Sequence, residues 1–133
     1  MQRYHEAPQD LDRTIGLNRH YQDDWYFYER ALTYLALNQP DKARADLALA
    51  MKLAKEHYEK DARNWRNSFN LALYYLAAQY NQPAEHLYRH TISQGASLER
   101  IRIAVQDLND FLAVFPNHVQ ATSMQQLLQS SLT

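Results

Sequence analysis

Ala31-Leu32-Thr33-Tyr34-Leu35-Ala36 returns 41 residues later as Ala72-Leu73-Tyr74-Tyr75-Leu76-Ala77. The match runs on past the hexapeptide. Ala31 is followed by Tyr34, Ala43, Leu47 and Ala50, and Ala72 is followed by Tyr75, Ala84, Tyr88 and Thr91. The gaps are three, nine, four and three in both copies. Gaps of three and four place residues on one face of a helix. The gap of nine holds the turn, so each unit reads as a helix, a tight turn and an antiparallel helix. Alanine at these points lets two helices approach closely, with Ala43 and Ala84 at the crossings and Tyr34, Leu47 and Tyr75 filling the core beside them. An internal period of this size marks stacked helical hairpins.

Composition agrees. The chain has 133 residues, enough for one domain that buries about two-thirds of the surface its unfolded form exposes. Only two glycines and four prolines interrupt it, which favours long helices, and no window alternates as a half-buried strand does. Without cysteine there are neither disulfides nor thiolate metal sites. A net charge of −1 gives no general attraction to nucleic acid or anionic lipid. No apolar run approaches the ~18 residues of a membrane span, and the N-terminus lacks the apolar stretch of a secretory signal. These features predict a cytoplasmic protein with no membrane association.

Start and stop signals predict about seven helices. The first spans about 7–17. The second follows Asp23-Asp24, which can cap it, and reaches about 37. Pro40 opens a third that nothing breaks up to Tyr58. A fourth spans about 61–80. Pro83 opens a fifth that ends near Gln94, with Gly95 as a left-handed cap. Ser97 caps a sixth that runs to about Val114, where Pro116 forces a stop, and Asn117 is expected to cap a seventh.

The order small, aromatic, turn, alanine, large apolar, small resembles the tetratricopeptide repeat. Two copies are well formed, over about 24–60 and 61–95, and a degenerate pair follows over 97–131. Ala7, Leu11 and Thr14 resemble the second helix of a preceding repeat, and Ala104, Leu108 and Phe111 with Pro116 resemble another second helix. The period of 41 exceeds the ~34 of that family. Seven extra residues make two helical turns, best placed between Met51 and Lys60. More loosely, the chain is similar to the C-terminal repeat segment of bacterial signal-transduction ATPases, where such repeats act as sensor or partner-binding arms. The resemblance implies an all-α fold of antiparallel hairpins in a short right-handed solenoid. It also implies a non-catalytic scaffold or protein-interaction module, without cofactor, for a protein or peptide partner.

By that resemblance the partner-binding groove comprises Trp25, Tyr28, Leu32 and Leu35, then Arg66, Phe69, Asn70, Leu73 and Leu76. These residues are mostly apolar, which suits an amphipathic helix or apolar peptide rather than a clamped carboxylate. The opposing expectation is that the C-terminal helices or a second chain fill this groove. The alternative function is a small ligand-binding or enzymatic helical domain with its site in the groove, which a deep pocket with convergent polar groups would favour.

Other clusters have plainer readings. Tyr21, Trp25, Tyr26 and Tyr28 are dense enough that some must face outward, as interface aromatics do. His86 and His90 share a helix face at a metal-compatible spacing, opposite the core face of Ala84, Leu87, Tyr88 and Thr91, but lack a third ligand. Arg63, Trp65 and Arg66 could stack on a base, yet Glu59 and Asp61 offset them and no basic stripe continues. Asp41/Lys42, Asp46/Arg44 and Glu56/Lys52 read as solvated helix faces. No phosphate loop, nucleophile elbow or HExxH motif occurs, so no enzyme activity is expected. At the N-terminal edge, Leu11, Ile15 and Leu17 need a cover. The expectation is a longer array or a two-fold dimer through that edge.

Overall fold

The computed structural model describes residues 23–133, and among them it contains six α-helices and no strand. They are α1 (Asp23–Ala36), α2 (Pro40–Lys60), α3 (Trp65–Ala77), α4 (Asn81–Ser93), α5 (Leu98–Val114) and α6 (Val119–Ser130). The helix expected over 7–17, with Leu11, Ile15 and Leu17, lies outside the described residues.

The 41-residue period of the sequence reappears in the backbone. After α1, Asn38 takes a left-handed φ of 60°, Asn38 N–H donates to the Leu35 carbonyl, and Gln39 N–H donates to the Tyr34 carbonyl at 2.8 Å. After α3, Gln79 takes φ 68°, Gln79 N–H donates to Leu76, and Tyr80 N–H donates to Tyr75 at 2.8 Å. Each is a Schellman closure, which satisfies the last carbonyls of the outgoing helix. The incoming helices also begin at matching positions, Pro40 and Asn81. Gly95, at φ 90°, closes α4 in the same way through Ala96 and Thr91.

Several boundaries differ from expectation. α3 begins at Trp65 rather than near Asp61, because Asn64 is its cap and accepts from Arg66 N–H through Oδ1. Asp61 instead belongs to the preceding turn, where its carbonyl accepts from Asn64 N–H and from Asn67 Nδ2. α4 starts two residues before Pro83, so proline sits in the first turn and removes no helical bond. Ser97 caps α5 as expected, through Oγ and Arg100 N–H. His118, not Asn117, caps α6, with Nδ1 accepting from Ala121 N–H at 3.1 Å.

The chain divides into two compact units, Met1–His57 and Tyr58–Thr133. In the first, Ala31, Ala43, Leu47 and Ala50 are buried. In the second, α3 packs on α4 and α5 on α6, while α3 also touches α5 and α4 touches α6. Ala72, Ala84, Ala104 and Ala121 are all buried there, and Phe69 lies against Tyr88 with ring centroids 6.0 Å apart. α5 therefore opens a hairpin rather than completing one. Pro116 lies in the turn of that pair, so the reading of Ala104, Leu108 and Phe111 as a second helix is corrected.

Tyr34 and Tyr75, expected in the core, are only half-buried. The Tyr34 ring lies under Arg30 at 6.0 Å and Lys42 at 5.6 Å, and Tyr75 meets Tyr80 edge-on. Among the described residues the buried tyrosines are Tyr28, Tyr74 and Tyr88. Enclosure, with the Asp107 charge nearby, pushes the Tyr88 phenol well above its ordinary range.

Candidate functional site

The residues expected to form the partner groove are unequally accessible. Trp25, Leu32 and Leu35 are half-buried on α1, and Tyr28 is buried with its ring 5.1 Å from Trp25. On α3, Phe69, Asn70, Leu73 and Leu76 are all buried, and Arg66 is half-buried. The α3 positions are interior packing, and no open apolar surface is available at them. The reason lies in α3 itself, where eight consecutive residues from Asn67 to Tyr74 are buried. A helix that is enclosed all round offers no single face to a partner.

The α1–α2 hairpin is joined by an ion pair that neighbour-based reading of the sequence missed. Arg30 Nε and Nη2 each donate to Asp46, at 2.7 Å to Oδ2 and Oδ1. The side chains are only 12% and 5% exposed. Asp46 is thus not a solvated partner of Arg44, which pairs with Asp41 instead. The signal was present, since Asp46 lies three residues after Ala43 and next to Leu47 on the inward face. The Asp46 bonds hold the Arg30 guanidinium above even its usual high value, against the opposing effect of burial. Nearby, His57 Nε2 lies 3.8 Å from Asp24, which is buried in the first turn of α1.

On the second unit, His86 and His90 are exposed on α4 with rings stacked at 6.2 Å. Among the described residues no group of three or more histidines and acids is placed to hold a metal ion. Glu85 accepts from Arg89 at 2.8 Å and from Gln120 of α6 at 3.2 Å, and these bonds lower its carboxyl below the ordinary 4.5.

One cavity in this unit is lined by polar side chains. Its volume is about 200 Å³, and its walls include Tyr58, Arg63, Trp65, Ser68, His90 and Thr91. Arg63 and Trp65, read from sequence as part of a cationic trio, thus meet His90, which sequence placed in a separate pair. Arg63 and His90 are exposed at the rim, whereas Ser68 and Thr91 are buried. The Thr91 hydroxyl donates to the Leu87 carbonyl at 2.7 Å. The turn capped by Asn64 sets Arg63 beside the first turn of α3, and the α3–α4 packing brings His90 and Thr91 across from Ser68.

Comparison with family models, curated proteins and solved structures finds no match for this chain. No helix among the described residues is long and apolar enough to cross a membrane.

Proposed function

We propose that the chain is a non-catalytic helical-repeat module of tetratricopeptide type that binds a protein or peptide partner. The observation that carries this reading is the repeated hairpin turn, with Schellman closures at Asn38 and Gln79 separated by the same 41 residues as the sequence repeat. The packing of like helix on like helix in the second unit, α3 on α5 and α4 on α6, supports it. Stacked hairpins bury their small-residue faces against neighbouring hairpins and leave extended outer faces for recognition. Such a surface takes an amphipathic helix or an apolar peptide, as it would in the sensor arms of bacterial signal-transduction ATPases. Half-buried Trp25, Leu32 and Leu35 on α1 are the groove residues that a partner can reach.

A peptide-display selection against the folded chain tests the reading. One enriched class of amphipathic sequences is expected, binding saturably in calorimetry. Leu35→Glu should weaken that binding while leaving the melting temperature close to wild type. If no sequence class enriches, the interaction reading is wrong.

A further inference from the structure

The cavity beside the first turn of α3 has a chemistry that the interaction reading does not use. Its volume of about 200 Å³ lies below the ~300 Å³ at which ordinary small-molecule pockets begin, so its ligand is small. No acidic side chain lines it. Arg63, at its rim, is exposed and has neither an ion pair nor a side-chain hydrogen bond among the described residues. Ser68 is 1% exposed and likewise makes no side-chain hydrogen bond among the described residues. With no protein partner among them, that hydroxyl is a polar group on the cavity wall suited to a ligand. Thr91 differs, because its hydroxyl already donates to Leu87.

We propose that this cavity binds a small phosphate monoester through its phosphoryl group. Arg63, Ser68 and His90 reach it from three separate elements: the turn before α3, α3 itself and α4. Donors spread in this way match a tetrahedral group with three outward oxygens. A carboxylate is better matched by one planar fork. The N-terminal turn of α3, which contains Ser68, adds the positive end of a helix dipole. Trp65 and Tyr58 supply aromatic wall beside these donors, which suits the organic part of an ester better than free phosphate. The site lies within one unit and needs no protein partner.

Proton–nitrogen NMR titration of the full chain tests this, with phenyl phosphate, inorganic phosphate and benzoate as probes. Phenyl phosphate should produce saturable shifts centred on Ser68, Thr91 and the Trp65 indole N–H. Arg63→Gln alters an exposed side chain that the fold does not use, and should weaken binding about tenfold or more. Ser68→Ala should act in the same direction. The site assignment is overturned if phenyl phosphate gives no saturable shift, if benzoate binds as well, or if Arg63→Gln leaves the affinity unchanged. Equal affinity for inorganic phosphate would overturn the ester class in favour of free phosphate.

Discussion

Arg30 and Asp46 meet in a two-point ion pair across the α1–α2 hairpin, with both nitrogen–oxygen distances at 2.7 Å. The pair is nearly enclosed, and the Arg30 guanidinium also lies 5.5 Å from the Phe27 ring. Removing one partner from an enclosed pair leaves the other charge poorly solvated. Asp46→Ala is therefore expected to cost about 3 kcal/mol. Replacing both residues, as Arg30→Met with Asp46→Leu, should recover most of that loss, because well-packed apolar side chains can substitute for such a pair. Urea denaturation of the two singles and the double gives the coupling. Additive losses would show that the pair does not hold the hairpin.

The helices were legible where a single residue dictates backbone geometry. Pro40, Ser97 and Gly95 each act at or beside the expected boundary. Legibility failed where two signals competed or where a residue took an uncommon role. Asp61 and Asn64 are both plausible caps, and only the turn that Asp61 closes decides for Asn64. Histidine is outside the usual capping set, so the sequence points to Asn117 rather than to His118, which caps the helix. The charged sequence neighbours of Asp46 point to a solvated face, whereas its helical position turns it inward to Arg30. The cavity was illegible for a different reason, since Arg63, Ser68 and His90 converge only after α3 and α4 pack.

Gln79 is held at φ 68°, where a side chain other than glycine or asparagine is disfavoured by about 1–2 kcal/mol. The residue is exposed. Gln79→Gly should raise stability by about 1 kcal/mol, offset in part by the greater freedom of glycine in the unfolded chain. Asn38→Gly, at the equivalent turn, should gain less because asparagine already tolerates this region. Thermal melts of both variants decide the point. A destabilised Gln79→Gly would mean that the side chain contributes more than the backbone costs.

Glu85 links α4 to α6 through Gln120 and pairs with Arg89 along α4. Its carboxyl is lowered below 4.5 in the folded chain, mainly by the Arg89 bond and then by the Gln120 bond. The stability it contributes is full above the unfolded value and is lost as pH falls through the lower folded value. Wild type should therefore exceed Glu85→Gln in melting temperature near neutrality. The difference should close as the solution is acidified below the ordinary 4.5 and through the lower folded value. A difference that stays constant across that range would remove ionisation of Glu85 as its cause.

Ala84 is fully buried, at the point of α4 equivalent to Ala43 on α2. Extra methylenes there have no space without displacing a neighbouring helix. Ala84→Leu and Ala43→Leu should each cost on the order of 1–3 kcal/mol by overpacking. Exposed Ala45, one helical position away from the inward face, serves as the control and should change little on the same substitution. A wild-type melt for both buried variants would disprove the shared register of the two hairpins.

Phe69 separates an open groove from a packed core. It is 5% exposed and lies against Tyr88, which is itself enclosed. A carboxylate at that position would lose its solvation, and the Phe69–Tyr88 packing would go with it. Removal of a buried phenylalanine alone costs about 3–5 kcal/mol, and an unpaired charge adds to that. Phe69→Glu should therefore unfold the Tyr58–Thr133 unit, with loss of helical circular dichroism and collapse of its dispersed amide resonances. Leu35→Glu, at a half-buried position, should stay folded. If Phe69→Glu instead keeps its dispersion and only reduces binding of an apolar dye, the α3 face is a working surface.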